Sequence, residues 1–122
     1  MAVKTTTAFD LEAFRRGYAE WDIAALLALY ADEVELIQID RENPPSAPRV
    51  RHGKEMFKGM FEHCAAAGVK ATVENEFAGE HRAAATVTCE FAGGRKVVAN
   101  GIFELEDGRI VRERQVLSGD PK

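Results

Sequence analysis

No stretch of this sequence stays apolar for anything near the ~20 residues that span a bilayer. Its opening, MAVKTTTAFD, holds one lysine but no apolar central segment and no cleavage site for export. The chain is therefore expected to be cytoplasmic, with no membrane as a partner. An excess of basic charge is missing as well, because the formal net charge is -4 with acidic and basic residues interspersed. Without a basic stripe to track phosphates, nucleic acid is not an expected partner. Cysteine is scarce: Cys64 and Cys89 lack the paired spacing of a zinc site or of a redox Cys-x-x-Cys. Both read as buried free thiols, packing as small hydrophobes. No set of His, Asp and Glu has metal-ligand spacing, no Ser, His and Asp occur in a nucleophilic context, and no glycine loop resembles a phosphate cradle. Neither a metal nor another cofactor is expected.

What is present suits one domain spanning residues 1–122, with residues 1–8 expected to be flexible. At 46% hydrophobic residues the chain can fill one core, and at this length it cannot fill two. Asp10 can cap a helix whose Ala13, Phe14, Gly17, Tyr18 and Trp21 share a buried face. Asp22 offers a second cap, and Ile23, Leu26, Leu27 and Tyr30 make the stripe of a short helix ending near Ala31. From Glu33 to Ile39 the period shortens to that of a strand. The next segment, DRENPPSAPRVRHG, holds three of the four prolines and is expected to be an irregular loop.

A third helix is expected from near Lys54 to Gly68, burying Met56, Phe57, Met60, Phe61 and Cys64. Glycine readily takes the left-handed conformation that ends such a helix. Alternation then predicts strands with Val69, Ala71, Val73, Asn75 and Phe77 on one side, and Ala83, Ala85, Val87, Cys89 and Phe91 on one side. AGEHR, AGGRK and EDGR supply turns, so the second half reads as an antiparallel meander of four strands. The economical packing lays the helices on one face of the sheet, an α+β arrangement. On the other face Val98, Asn100 and Ile102 are partly apolar, so either a partner covers that face or the strand is buried on both sides.

The helical hairpin with WDIAALLALYADEVEL, the loop ending RHGKEMFKGMF and the closing FELEDGRIVRERQV resemble the nuclear transport factor 2-like superfamily, especially its SnoaL-like and ketosteroid isomerase-like branches. The resemblance covers nearly the whole chain. It implies a cone-shaped roll in which a strongly bent antiparallel sheet wraps three helices around an apolar pocket. It also implies a homodimer formed through the outer sheet face. It does not select an activity, because the fold hosts isomerases, cyclases, dehydratases, epoxide hydrolases and binding modules.

In ketosteroid isomerases a carboxylate removes the proton while a tyrosine and a protonated acid hold the oxygen. By resemblance these roles fall on Gln38, Phe14 and Gly101. An amide, a phenyl ring and a glycine cannot perform them. The acid common on the last strand of SnoaL-like cyclases aligns with Gln115, again an amide.

If Gln38 faces the pocket, Leu36 and Asp40 share its side, and Val111, Glu113, Gln115 and Leu117 share one side of the last strand. Glu113 is then the candidate catalytic acid-base, because an inward carboxylate needs partners or a raised affinity for its proton. A one-residue shift in register would put it in water instead. Gln38 and Gln115 bind a ligand's polar end or satisfy each other. Tyr18 and Tyr30 read as core rings that can line the pocket. His52 could reach the pocket mouth or be solvated, whereas His63 and His81 read as surface residues. Phe14, Phe57, Phe61 and Phe103 would form the apolar floor for a small apolar or amphipathic molecule. Binding of such a molecule is one expectation, and an isomerase, cyclase or hydrolase using Glu113 is the other.

Overall fold

A computed structural model describes residues 8–121 of the chain. The expectation for residues 1–8 therefore falls almost wholly outside the described residues. Helix α1 spans Leu11–Glu20, and Asp10 caps it by accepting from the Ala13 amide at 2.9 Å. Asp22 does the same for α2, Ile23–Leu27, accepting from the Ala25 amide at 3.1 Å. A side-chain oxygen at this position satisfies an amide that the helix cannot. Helix α3 covers Lys54–Ala66. It ends as its composition suggests: Gly68 is left-handed at φ 68°, its amide donates to Ala65 and that of Val69 donates to Cys64.

The strands are β1 (Tyr30–Ile39), β2 (Arg49–His52), β3 (Lys70–Ala78), β4 (Arg82–Glu90), β5 (Lys96–Glu106) and β6 (Arg109–Gly119). They form one curled, open sheet in the order β2-β1-β6-β5-β4-β3. Every neighbouring pair is antiparallel except β1 and β6. That parallel pair is possible because α3 and the meander lie between its two strands, far more chain than a hairpin needs. The helices cover the concave face, and Phe14, Leu26, Tyr30, Leu36, Phe57 and Ile110 are among the side chains sealed in the core.

Three expectations are corrected. The second helix stops at Leu27, and Tyr30 already belongs to β1, opposite Ile110. Tyr30 continues the helical spacing of Ile23 and Leu26, but pairing with β6 outweighs local period. The proline-rich segment is not wholly irregular, since Arg49–His52 pairs with β1 as an edge strand beyond the last proline of the loop. Simple alternation also fails at two register shifts. Between Glu74 and Phe77, with Asn75 left-handed at φ 57°, the chain turns Phe77 outward to 64% exposure and sets Glu76 against Arg15 of α1 as an ion pair. Near Val111, β6 carries one residue more than β5, so that Ile110 and Glu113 both point inward. Val111 does not share the side of Glu113 and borders the outer surface near Glu35 and Arg112.

Candidate functional site

Between α1, α3 and the concave face of β4, β5 and β6 lies a cavity of about 170 Å³. Its wall is mostly aromatic and aliphatic, with Phe14, Tyr18, Trp21, Phe61, Phe91 and Phe103 as its rings. Both cysteines lie in the same wall, unpaired and half-buried. Burial raises the Cys64 thiol above its usual range and takes that of Cys89 up to about 11, so neither is a thiolate at neutral pH.

Three polar side chains interrupt this wall: Gln38, Glu113 and Gln115. Strand register brings them together, because Gln38 lies beside Gln115 across the β1–β6 pair and Glu113 is two residues earlier on the same face. Glu113 is 2% exposed. Its Oε1 accepts from the Tyr30 hydroxyl at 2.7 Å and its Oε2 accepts from Gln115 Nε2. The Tyr18 hydroxyl, from α1, neighbours that of Tyr30. On the other side Gln38 Nε2 donates to Gln115 Oε1 at 3.1 Å, and Arg51 of β2 donates to Gln38 Oε1 at 2.7 Å. A chain of hydrogen bonds thus runs from the edge strand to the carboxyl.

Gln38 is the middle link of this chain. A link that accepts from a cation at one end and donates at the other needs both functions, and an amide has both. A carboxylate at that position could not donate onward to Gln115.

Burial pushes the proton affinity of Glu113 up to about 7, against the lowering effect of the bonds from Tyr30 and Gln115. Burial and the neighbouring Glu113 charge raise both Tyr30 and Tyr18 well above their usual value, so both phenols remain protonated donors. Glu113 can therefore exist in either form near neutral pH, in a wall that carries no other ionised side chain among the described residues. With Tyr30 and Gln115 already donating to its two oxygens, the remaining polar capacity of the carboxyl is available to the cavity. Such a carboxyl can accept a hydrogen bond when ionised and donate one when protonated.

Of the residues expected at a site, Phe14, Tyr18, Gln38, Phe61, Phe103, Glu113 and Gln115 all line the cavity. Leu36 and Phe57 are buried in the core without reaching its wall; Phe57 stacks on Tyr30 with 4.2 Å between ring centroids. Asp40 is turned into the following loop, where it accepts from the amides of Glu42 and Asn43. His52 does not reach the cavity mouth: it stands on the convex face, exposed, 3.1 Å from Glu35. Its position follows from β2, where alternate residues face opposite sides and Arg51 takes the inward one.

The positions that carry isomerase chemistry by resemblance, Gln38, Phe14 and Gly101, all lie in the cavity wall. A Cβ at Gly101 would stand 2.8 Å from the Phe103 ring, so phenylalanine fills the space an acid would need. Sequence reasoning missed Arg51, the bond from Tyr30 to Glu113, and the contributions of Trp21 and Met60 to the wall. Arg51 had one usable signal, the alternation in RVRH, obscured by the prolines before it. Tyr30 had none, because its bond joins residues far apart in sequence.

The SnoaL-like domain family matches residues 11–113. The chain belongs to the SnoaL-like domain family. No curated protein matches the sequence. Solved structures share the fold at low identity. A nuclear transport factor 2-like protein of unknown function from Mesorhizobium loti is similar at TM-score 0.71 and 24% identity, over 89% of this chain and 88% of that one. A candidate ketosteroid isomerase from Kribbella flavida has TM-score 0.70 and 16% identity, over 92% and 77%. An LEH-like epoxide hydrolase from M. tuberculosis has TM-score 0.63 and 16% identity, over 88% and 79%. At such identities the likeness of this SnoaL-like chain to these structures is one of fold.

Proposed function

We propose that this SnoaL-like domain binds a small, mainly apolar molecule in its cavity, with Glu113 holding the ligand's single polar group. The observation that carries this reading is the buried Glu113 carboxyl, set with Gln38 and Gln115 in an otherwise apolar wall. A cavity of about 170 Å³ resembles in size the ~150 Å³ engineered cavity that holds benzene. The ligand class is therefore a one-ring compound carrying one hydroxyl, carbonyl or amine, rather than a four-ring body. Ketosteroid isomerase chemistry is not part of this reading, since Gln38, Phe14 and Gly101 offer neither base nor oxygen-holding donors.

A second reading, acid-base catalysis by Glu113, is favoured by that carboxyl's proton affinity of about 7. A group that changes protonation near the working pH can both take and return a proton. The two readings separate in one experiment with benzyl alcohol and cyclohexanone as probes. Binding predicts that at ~100 times its dissociation constant a probe adds ~2.7 kcal/mol of stability, a rise of several degrees in melting temperature. Catalysis adds exchange of the cyclohexanone α-protons with deuterium, lost in Glu113→Gln. Flat melting curves across one-ring alcohols, ketones and amines would reject the binding site.

The convex face carries Ile102 at 58%, Phe77 at 64% and Val116 at 49% exposure, with Ile102 and Phe77 in one cross-strand row. We propose a second copy of the chain as its cover, as the superfamily resemblance implies. Light scattering is expected to give twice the 13.4 kDa chain mass, falling to one chain in Ile102→Glu. A parent that stays monomeric at roughly tens of micromolar would refute it.

A further inference from the structure

Arg51 stands outside the cavity wall, on the edge strand, yet it determines how that wall is polarised. A guanidinium has donors and no acceptor. Its bond to Gln38 at 2.7 Å therefore fixes the oxygen of that amide toward β2 and its Nε2 toward Gln115. Gln115 must then turn its oxygen to Gln38, which leaves only its Nε2 for Glu113. Each step follows by elimination from the one before. The guanidinium is placed for this contact: it lies along Met60, whose sulfur accepts from the same nitrogen at 3.4 Å, and its buried Nε has no partner among the described residues.

We propose that Arg51 is a positioning residue that acts through Gln38 and Gln115 to commit Glu113 to accepting hydrogen bonds from the protein. Without Arg51 both amides are free to turn over. Gln115 would then present its oxygen to Glu113, an arrangement that only a protonated carboxyl can satisfy. The relay therefore favours the ionised carboxyl, and loss of the cation favours the protonated one. This holds whether the cavity binds a ligand or acts on it.

The groups facing Glu113 do not confuse the readout. Tyr30 comes from β1, Tyr18 from α1, Cys64 from α3 and Cys89 from β4, and all four hold their protons more tightly than usual. Between roughly pH 5 and 8 none of them titrates. Arg49 is the other cation beside the relay on β2.

The test is a carbon-13 NMR titration of the Glu113 side-chain carboxyl in folded variants, with melting temperature as the check of folding. Arg51→Met keeps the stem and removes the donors, and is expected to raise the midpoint by about one pH unit, a tenfold gain in proton affinity. Arg51→Gln, which can present either end of its amide, is expected to raise it as well and serves if the methionine variant does not fold. Arg51→Lys, a donor without an acceptor, is expected to restore the parent midpoint. Gln38→Leu retains the cation but cuts the relay and is expected to raise the midpoint as Arg51→Met does. An unchanged midpoint in folded Arg51→Met or Arg51→Gln overturns the proposal. So does an unchanged midpoint in Gln38→Leu, which would mean that Arg51 acts by charge through space.

Discussion

Replacing Glu113 with glutamine is expected to remove a fall in stability of roughly 3 kcal/mol that the parent protein shows as pH rises from about 4.5 to above 7. The ordinary value of this carboxyl is 4.5 and its value in the fold is about 7, and each unit of difference corresponds to ~1.4 kcal/mol. For an acid whose folded value is raised, the folded state binds more protons than the unfolded one between the two values. Stability therefore falls as pH rises through that window and levels off above it. The glutamine variant has no such proton to lose, so its stability should be flat there. It will not be uniformly more stable, because both neighbours of Glu113 donate, and the NH₂ end of the new amide must face one of those donors. A buried donor left without an acceptor costs ~1–3 kcal/mol. The variant should be less stable than the parent at pH 5 and close to it at pH 8. Urea unfolding at both values checks this, and equal slopes for the two proteins would contradict it.

Tyr30→Phe is expected to have the complementary pH dependence. The ring stays stacked on Phe57, so the change deletes a hydroxyl from a packed core and little else. That hydroxyl donates to Glu113 at 2.7 Å. Its bond to an ionised carboxyl is worth ~1.5–3 kcal/mol, against ~0.5–1.5 for a neutral pair. The loss should be larger at pH 8, where Glu113 is ionised, than at pH 5, where it is protonated. In the background of Glu113→Gln the difference between the two pH values should vanish. A loss of the same size at both pH values in the parent background would show that the hydroxyl serves packing rather than the carboxyl.

Much of what positions the cavity was legible in the sequence, for reasons specific to each element. Asp10 and Asp22 announce helix starts because a short acidic side chain before an apolar stripe has a local task that no tertiary contact needs to supply. The inward side of β4 was readable because Ala83, Ala85, Val87 and Cys89 alternate without interruption. Gln38 and Gln115 stood out because an amide inside an apolar strand needs a partner. The failures have a common cause, that bulges and edge pairing are set by the neighbouring strand. Val111 breaks alternation because β6 carries one residue more than β5, and nothing in DGRIVRERQ reveals it. Asn75 did leave a trace, since asparagine tolerates the left-handed conformation. Arg51 and His52 read as loop because the prolines before them obscure a short strand, and the face of that strand decides which of the two reaches the relay.

The placement of Glu113 is the claim on which the rest depends: a carboxyl sealed among aromatic rings, receiving hydrogen bonds from Tyr30 and Gln115. Its titration in the unmodified protein, followed by carbon-13 NMR of the side-chain carboxyl, tests that claim most directly. The expected result is a single transition with its midpoint near 7, set apart from those of the exposed glutamates. A midpoint at the ordinary 4.5 would mean that water reaches Glu113, and would contradict both the cavity and the function proposed for it.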